Sequence, residues 1–198
     1  MSHIQTFVDQ LLALDHIRQE DLVAALQQLE VFDANELAAK AVKPHASKEH
    51  PYGRHVIFAN PRLEVMVASW RRGFPCAPHD HGDAVSAIKV LRGRSHHRGF
   101  CIQDNQLNMV FTERKNAGDI LLCAPYQIHA MGDDAAEERL VTLHMYAGSI
   151  DNMVVYSDTH THLVSGQAGA WVPVDEPEQE LSVRSGHCGR AELDFAGK

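Results

Sequence analysis

The sequence predicts an all-β core, either a small barrel or a jelly-roll sandwich, preceded by an N-terminal helical segment. Up to about residue 42 the apolar residues recur at helical spacing, whereas from Tyr52 onward they fall into short β-prone runs. Turn-forming residues such as Asn60-Pro61 and Gly73 separate these runs. A chain of 198 residues is long enough to bury a full core and is expected to form one domain.

The N-terminal segment carries the helical prediction. Ser2 and Gln5 are spaced as in a capping box, and apolar residues follow them at every third or fourth position. A second apolar stripe predicts a helix at about residues 19–30, and Asp33 stands where a third helix is expected to begin. These patterns predict a helical preface over residues 1–45.

The rest of the chain divides into a barrel and a tail. The β-prone runs predict a barrel over residues 50–165, within a single domain over residues 1–198. Residues 166–198 are rich in Gly, Pro and acidic residues, so this tail is expected either to pack on the barrel through Trp171 or to be partly mobile. The predicted strands are "RHVIFA", "LEVMVASW", "AVSAIKVLRG", "HHRGFCI", "QLNMVFTERK", "DILLCA", "ERLVTLHMY" and "NMVVYS".

The charge balance and hydropathy exclude two classes of partner. The formal net charge is −8 and no block of basic residues offsets it, so a nucleic-acid partner is not expected. No apolar run approaches the roughly 20 residues of a membrane span, so a membrane partner is not expected either. The N-terminus lacks the basic region of a secretory signal, and the protein is therefore expected in the reducing cytoplasm.

Cysteine and histidine are the residue types whose side chains could react or bind a metal. The four cysteines are Cys76, Cys101, Cys123 and Cys188. Their scattered spacing, without a Cys-x-x-Cys pair, predicts neither a zinc knuckle nor a disulfide framework. The 14 histidines are many for this length, but those in polar segments, including His96 and His97, are expected at the surface.

His79 and His81 form a His-x-His pair that predicts half of a metal site. Residues two apart on a strand point to the same side, so both imidazoles face either the barrel interior or solvent. A solvent-facing pair near a loop is the competing interpretation. The second pair, His160 and His162, lies in a polar stretch and is assigned no role.

The spacing of the residues around His79 and His81 favours a metal site over a solvent-facing pair. Gly73, His79, His81, Ser86 and Gly93 follow the pattern G-x5-H-x-H-x4-E-x6-G of the first cupin motif, with a serine in place of the glutamate ligand. The sequence therefore resembles a cupin, a jelly-roll barrel. If the resemblance holds, Ser86 removes the acidic ligand from the metal site.

The second cupin motif is matched in spacing but less well in content. Gly118 lies eleven residues before His129, and Asp133 follows His129 by four. Ala124 and Tyr126 stand where the motif has proline and glycine. The matched spacing makes His129 the third candidate ligand.

Three neutral imidazoles would leave a divalent metal with a charge of +2 and up to three open coordination positions. Imidazole ligands suit Fe(II), Zn, Cu or Ni, so the residues alone do not choose the metal. Open adjacent positions favour non-haem iron that seats a chelating substrate and dioxygen together.

Two further segments make the sequence resemble the thiol dioxygenases, cupins with three histidine ligands whose type member is cysteine dioxygenase. One is Tyr52-Gly53-Arg54, and the other is Thr142-Leu143-His144-Met145-Tyr146, similar to the Ser-x-His-x-Tyr run of the family. The resemblance covers about residues 50–157. It implies that His79, His81 and His129 hold Fe(II).

The resemblance also implies roles for the two segments. Arg54 would bind the substrate carboxylate with help from Tyr52. Thr142, His144 and Tyr146 would form a hydrogen-bonded line into the iron site, with the Tyr146 hydroxyl as the donor. Without the resemblance, Arg54 could be a surface arginine and the line a satisfied polar row inside a barrel.

Ser86 also departs from the mammalian members. There, a cysteine at this position is cross-linked to the tyrosine that matches Tyr146. Serine cannot form that thioether, so Tyr146 is expected to be unmodified.

The resemblance implies addition of both atoms of O2 to the sulfur of a small thiol. Arg54 favours L-cysteine, giving cysteine sulfinic acid, because the sister group acting on 3-mercaptopropionate typically has glutamine there. The alternatives are a 3-mercaptopropionate dioxygenase, a non-catalytic metal-binding cupin sensor, and a cupin enzyme on another metal such as a zinc isomerase. The sequence leaves the oligomeric state open.

Overall fold

A computed structural model of the chain describes residues 3–29, 31–40, 52–135, 137–148, 150, 153–157, 160–167, 170–173 and 179–180. In these ranges the N-terminal part forms three helices: α1 (His3–Leu12), α2 (Gln19–Gln27) and α3 (Val31–Ala39). The predicted helical preface is therefore present, and α3 begins two residues before Asp33. Ser2 of the predicted capping box lies outside the described residues.

The remaining described elements are strands. They are β1 (Tyr52–Asn60), β2 (Leu63–Trp70), β3 (His79–Asp80), β4 (Val85–Arg92), β5 (Arg94–Gln103), β6 (Gln106–Asn116), β7 (Ile120–Cys123), β8 (Ile128–Asp133), β9 (Val141–Ala147), β10 (Met153–Tyr156), β11 (His160–Gln167), β12 (Ala170–Pro173) and β13 (Gln179–Glu180). All their pairings are antiparallel.

Two sheets build the barrel. One has five strands in the order β1-β2-β9-β4-β7, and the other has eight, in the order β12-β11-β10-β3-β8-β5-β6 with β13 paired to β11. Met66 and Ile88 of the first sheet share an apolar cluster with Ala130 and Met131 of the second. The interior between two antiparallel sheets is the all-β cupin core that the sequence predicted.

Strand β2 is buried along its whole length because the first sheet is covered on both faces. Met66 and Ala68 face the barrel interior, whereas Val65 and Val67 pack in a cluster with the helices of the preface. Alternate residues of a strand point to opposite faces, so a strand covered on both sides is mostly apolar along its length. This explains the run "LEVMVASW".

Polar side chains join the preface to the barrel, among them those of Gln19 and Lys89. The Gln19 amide, at the start of α2, donates hydrogen bonds to the carbonyl oxygens of Ser86 (2.8 Å) and Cys123 (2.9 Å). At the other end of α2, the Lys89 ammonium donates to the Leu26 (2.7 Å) and Leu29 (3.1 Å) carbonyls. A cation at a helix C-terminus satisfies carbonyls without intrahelical partners. Helix α2 is thereby fixed against the back of β4.

The tail is more regular than predicted in its described part. Strand β12 pairs with β11, matching Gly166 to Trp171 and Val164 to Pro173, so sheet structure continues beyond Ser165. The side chain of Trp171, predicted to pack on the barrel, lies outside the described residues.

Two further observations concern cysteine pairing and membrane-spanning helices. Cys101 is disulfide-bonded, which its spacing did not predict. Among the helices within the described ranges, none is both long and apolar enough to cross a membrane.

Candidate metal centre

Three histidines converge inside the barrel. His79 lies on β3 directly opposite His129 of β8, and His81 follows His79 by two residues on the same side. The three rings are at most 6% exposed, and their centroids are 4.5 to 5.0 Å apart. The Nε2 atoms of His79 and His81 are 3.1 Å apart. One nitrogen of each ring lies within 4.8 Å of the others, the convergence that a shared metal ion requires.

The surroundings keep these rings in the form that binds a metal. Burial lowers the pKa of His79 to about 4, although the Ala77 carbonyl and Asp80 oppose the shift. Burial and then the neighbouring imidazoles hold the pKa of His81 and of His129 well below the usual value. A neutral imidazole has one lone pair free for a metal. All three rings are therefore neutral donors at neutral pH.

The tautomer of His79 is set by the backbone. Its Nδ1 lies 3.0 Å from the Ala77 carbonyl oxygen, which can only accept, so Nδ1 carries the hydrogen. The free lone pair of His79 is therefore on Nε2, the atom that faces His81.

Ser86 occupies the interior face of β4, between Tyr146 of β9 and Cys123 of β7. It is fully buried, and the group His79, His81 and His129 includes no carboxylate. The three histidines thus fit a divalent metal bound by three neutral nitrogen donors.

The hydroxyl, imidazole and phenol of β9 form the predicted line. The Thr142 Oγ1 is 2.7 Å from His144 Nε2, and His144 Nδ1 is 2.8 Å from the Tyr146 hydroxyl. The Tyr146 ring centroid lies 4.9 Å from that of His81. Alternate residues of one strand share a face, so β9 directs the row toward the histidines.

Trp70 extends this row, and the sequence did not predict its role. Its Nε1–H donates to Thr142 Oγ1 at 2.8 Å, both groups being buried. An indole nitrogen can only donate, so Trp70 fixes the direction of the first hydrogen bond. The signal available in the sequence was the alternation of β2, which puts Trp70 on the interior face with Met66 and Ala68.

The titration of the row follows from its burial. Burial, and then the charge of Arg54, lowers the pKa of His144 to about 3. Burial raises the pKa of Tyr146 well above its usual value, with Tyr52, Cys123 and Glu64 adding to the shift and Arg54 opposing it. His144 is therefore neutral and Tyr146 a protonated donor at neutral pH.

Arg54 is buried beside this row and not at the surface. Its side chain is 8% exposed and forms an ion pair with Glu64, which is 9% exposed. Tyr52 also faces the interior, with its ring 4.8 Å from that of Trp70. Glu64, a residue that the sequence did not single out, lies opposite Tyr146 in the pairing of β2 with β9.

His97 was expected at the surface, and this prediction is wrong. It is 1% exposed, with Nε2 3.1 Å from His129 Nδ1 and Nδ1 3.1 Å from Glu113 Oε1. Strand β5 alternates between buried and half-buried residues, so its position in the barrel buries one of two adjacent histidines. The neighbour, His96, is half-buried and contacts Thr112.

Cys76 and Cys123 are free, buried thiols beside the histidines. Cys76 Sγ lies 3.8 Å from His79 Nδ1, and Cys123 Sγ lies 3.4 Å from His129 Nδ1. Burial raises the pKa of each thiol to about 12. Both are therefore protonated at neutral pH.

The backbones of His160 and His162 lie in β11, away from β3 and next to β10.

Comparison with known proteins places this geometry in a family. The chain is similar to a conserved protein with a double-stranded β-helix domain from Klebsiella pneumoniae (18% identity over 63% of this chain and 95% of the other, TM-score 0.48). It is also similar to an RmlC-like cupin from Shewanella frigidimarina (13% identity over 56% and 86%, TM-score 0.44). The sequence model of "Cysteine dioxygenase type I" matches residues 1–159. This match covers most of the chain and supports an oxidoreductase of the thiol dioxygenase type, acting on a small molecule with O2. The chain belongs to the cysteine dioxygenase type I family.

Proposed function

We propose that this protein is a non-haem iron thiol dioxygenase that converts L-cysteine to cysteine sulfinic acid. The observation that carries the proposal is the convergence of three buried, neutral imidazoles with no carboxylate beside the row that ends at Tyr146. Family membership supports the reaction type. The proposal assigns the whole activity to a single cupin domain over residues 1–198.

His79, His81 and His129 would hold the metal. Fe(II), when bound, supplies open positions for a thiolate and O2 and the redox chemistry that joins them. Neutral ligands leave the metal charge uncompensated, so an anionic thiolate is the favoured substrate form. Burial of the three rings excludes bulk water from the reacting groups.

The row from Trp70 directs a hydrogen toward the substrate. The Trp70 N–H occupies one lone pair of Thr142 Oγ1, and we assign the hydrogen of the Thr142 hydroxyl to the bond with His144 Nε2. Neutral His144 accordingly donates from Nδ1 to the Tyr146 oxygen. The Tyr146 hydroxyl hydrogen is left to donate to the bound thiolate, carboxylate or O2.

Arg54 would take the substrate carboxylate. A guanidinium has five donors in a planar fork, so it can hold Glu64 and still present N–H groups to a second carboxylate. Glu64 fixes the orientation of the fork. Tyr52, packed on Trp70, joins this end of the site to the row of β9.

The decisive experiment measures metal content and oxygen uptake with a panel of thiols. The purified protein is made metal-free, loaded with Fe(II) without oxygen, and supplied with L-cysteine, 3-mercaptopropionate or cysteamine. The expected result is cysteine-dependent O2 uptake, with both atoms of labelled O2 found in the sulfinate. Turnover of 3-mercaptopropionate far above that of cysteine would contradict L-cysteine as the substrate and identify 3-mercaptopropionate in its place.

The substitution His129→Ala separates an enzyme from a metal-binding sensor. A dioxygenase loses iron and activity together, because the third ligand is gone. A sensor that does not need the metal would instead keep its affinity for the small ligand and show no thiol-dependent O2 uptake in the wild type.

A cytoplasmic location, without nucleic-acid or membrane partners, stays a prediction. Cys101 bears on it, because disulfides are rare in the reducing cytoplasm.

A further inference from the structure

His97 and Glu113 form a buried chain of hydrogen bonds that ends on His129. The two residues stand directly opposite each other in the pairing of β5 with β6. The side chain of His97 is 1% exposed and that of Glu113 is 9% exposed. His97 contacts Glu113 through Nδ1 and His129 through Nε2, each at 3.1 Å. No part of the proposed reaction uses either residue.

Each hydrogen bond in this chain determines the next one. A carboxylate can only accept, so His97 Nδ1 carries the hydrogen that it gives to Glu113. We assign the other His97 nitrogen, Nε2, as the acceptor of the Nδ1–H of His129, 3.1 Å away. Consequently His129 keeps its lone pair on Nε2, and only that atom is available to a metal.

The direction of these hydrogen bonds is also consistent with the positions of the strands. His129 lies opposite His79 in β8 and β3, while His97 approaches from β5 on the other side of β8. A ring held at Nδ1 by one neighbouring strand is therefore presented to the other strand. Partners of this kind orient metal ligands and fix their tautomers.

A second set of residues offers a competing location for a metal. His97, Cys123 and His129 also have potential ligand atoms within 4.8 Å of one another. Metal bound there would use the His129 Nδ1 and the Cys123 sulfur, which are 3.4 Å apart. Such a site needs His97 as a ligand and a Cys123 thiolate.

We propose that Glu113 and His97 are positioning residues that select the Nδ1–H tautomer of His129 and aim its Nε2 at His79 and His81. This inference rests on the proposed function only in taking His129 as a metal ligand. It requires metal affinity to depend on two residues that never touch the metal. Loss of such partners typically weakens metal binding about 10- to 100-fold.

The test titrates Co(II) into the metal-free, full-length protein and follows its visible absorption, without any turnover. His97→Leu removes the acceptor and is expected to weaken binding about 10- to 100-fold. His97→Gln restores it, because the amide oxygen can accept from His129 while the amide nitrogen donates to Glu113. The matched control is His96→Leu on the other face of β5, which should leave the affinity unchanged.

Glu113→Leu provides a second, independent variant should His97→Leu not fold. It removes the carboxylate that sets the tautomer of His97, so the same direction of change is expected. Wild-type Co(II) affinity and spectrum in His97→Leu, or in Glu113→Leu, would overturn the proposal.

The competing site gives a different result. If the metal sits between His97, Cys123 and His129, the wild type shows an intense thiolate-to-Co(II) band that Cys123→Ser abolishes, and the proposal is overturned. Failure of the proposed function is distinguishable: the wild type would bind Co(II), His97→Leu would weaken binding and His97→Gln would restore it, but no thiol would drive O2 uptake.

Discussion

At the scale of single residues, Ser86 determines two properties of the site. It withholds an acidic ligand from the histidines, and it stands between Tyr146 and Cys123 in the five-stranded sheet. A hydroxyl of serine cannot form a thioether with a phenol. We therefore expect the neighbouring Tyr146 side chain to keep its hydroxyl and both of its ortho positions.

We predict that Tyr146 is unmodified after turnover. Intact-mass measurement should return the mass expected from the sequence, before and after incubation with Fe(II), L-cysteine and O2. Peptide mapping should recover the Tyr146 peptide on its own. A linked peptide joining Tyr146 to Cys123, the thiol across from Ser86, would contradict this prediction.

A substitution at Arg54 can test the proposed carboxylate binding separately from folding. Removing its charge would leave Glu64 as an uncompensated buried charge, which costs about 3–5 kcal/mol. Arg54→Lys keeps the positive charge near Glu64 but loses the planar fork. The lysine variant therefore tests recognition of the substrate with little disturbance of the ion pair.

For Arg54→Lys we expect the KM for L-cysteine to rise by about 10-fold, the effect of roughly one weakened charged hydrogen bond. Cysteamine, which has no carboxylate, should show no comparable change. Arg92→Lys, at an exposed position of β4, is the control. Equal losses for both thiols would place Arg54 outside carboxylate recognition.

At the scale of elements, the strands that carry the candidate ligands were the hardest to predict. Strand β2 was predicted with its observed bounds because most residues on both of its faces are apolar. Strand β8 was missed, since "IHAMGD" has no apolar alternation, and a strand at His79 and His81 was assumed for the His-x-His pair without a pattern of its own, since "HD" is too short for one. His129 was found through its spacing, independently of the strand on which it lies.

The supporting contacts required the register of paired strands. Glu64 faces Tyr146 across β2 and β9, which are far apart in sequence, so no local pattern contains that pairing. His97 faces Glu113 within the β5–β6 hairpin, whose register depends on the two-residue connection at Asp104-Asn105. The candidate ligands and the row of β9 could be predicted because their spacings lie within single segments of the sequence.

The close approach at Gly132 gives a prediction for β8. A Cβ at this position would lie 2.6 Å from the Phe74 carbonyl oxygen and from Pro75 Cα, which are backbone atoms that cannot turn aside. Gly132→Ala should therefore move β8 away from the segment leading to His79. We expect a loss of about 1–3 kcal/mol in the free energy of unfolding, measured in urea, together with weaker metal binding.

Gly99→Ala is the matched control for this effect. The added Cβ there would meet the Phe111 ring, which is half-buried and can swing outward. The loss should be smaller than for Gly132→Ala. An unchanged stability in Gly132→Ala would mean that the segment before β3 adjusts freely.

At the scale of the whole molecule, burial lowers the pKa of four histidines in one interior. Burial lowers the pKa of His79 to about 4 and that of His144 to about 3, and it holds those of His81 and His129 well below the usual value. In the unfolded chain each of these rings titrates near pH 6.5. The unfolded state therefore binds protons that the folded state does not.

The sign of the effect follows from this difference. Stability is fully present above about pH 6.5 and falls as the pH drops toward the folded values, because protons then favour the unfolded chain. His79 and His144 alone should lower the free energy of unfolding by on the order of 4 kcal/mol at pH 5. His81 and His129 add to this loss.

Urea unfolding of the metal-free protein between pH 7.5 and 5 would measure the predicted decline. His16→Asn, a substitution at an exposed position, is the control. Metal-loaded protein should be more stable at neutral pH and decline more steeply, since acid then also displaces the metal from its imidazole ligands. A stability that stays constant from pH 7.5 to 5 would contradict neutral, buried histidines in the folded state.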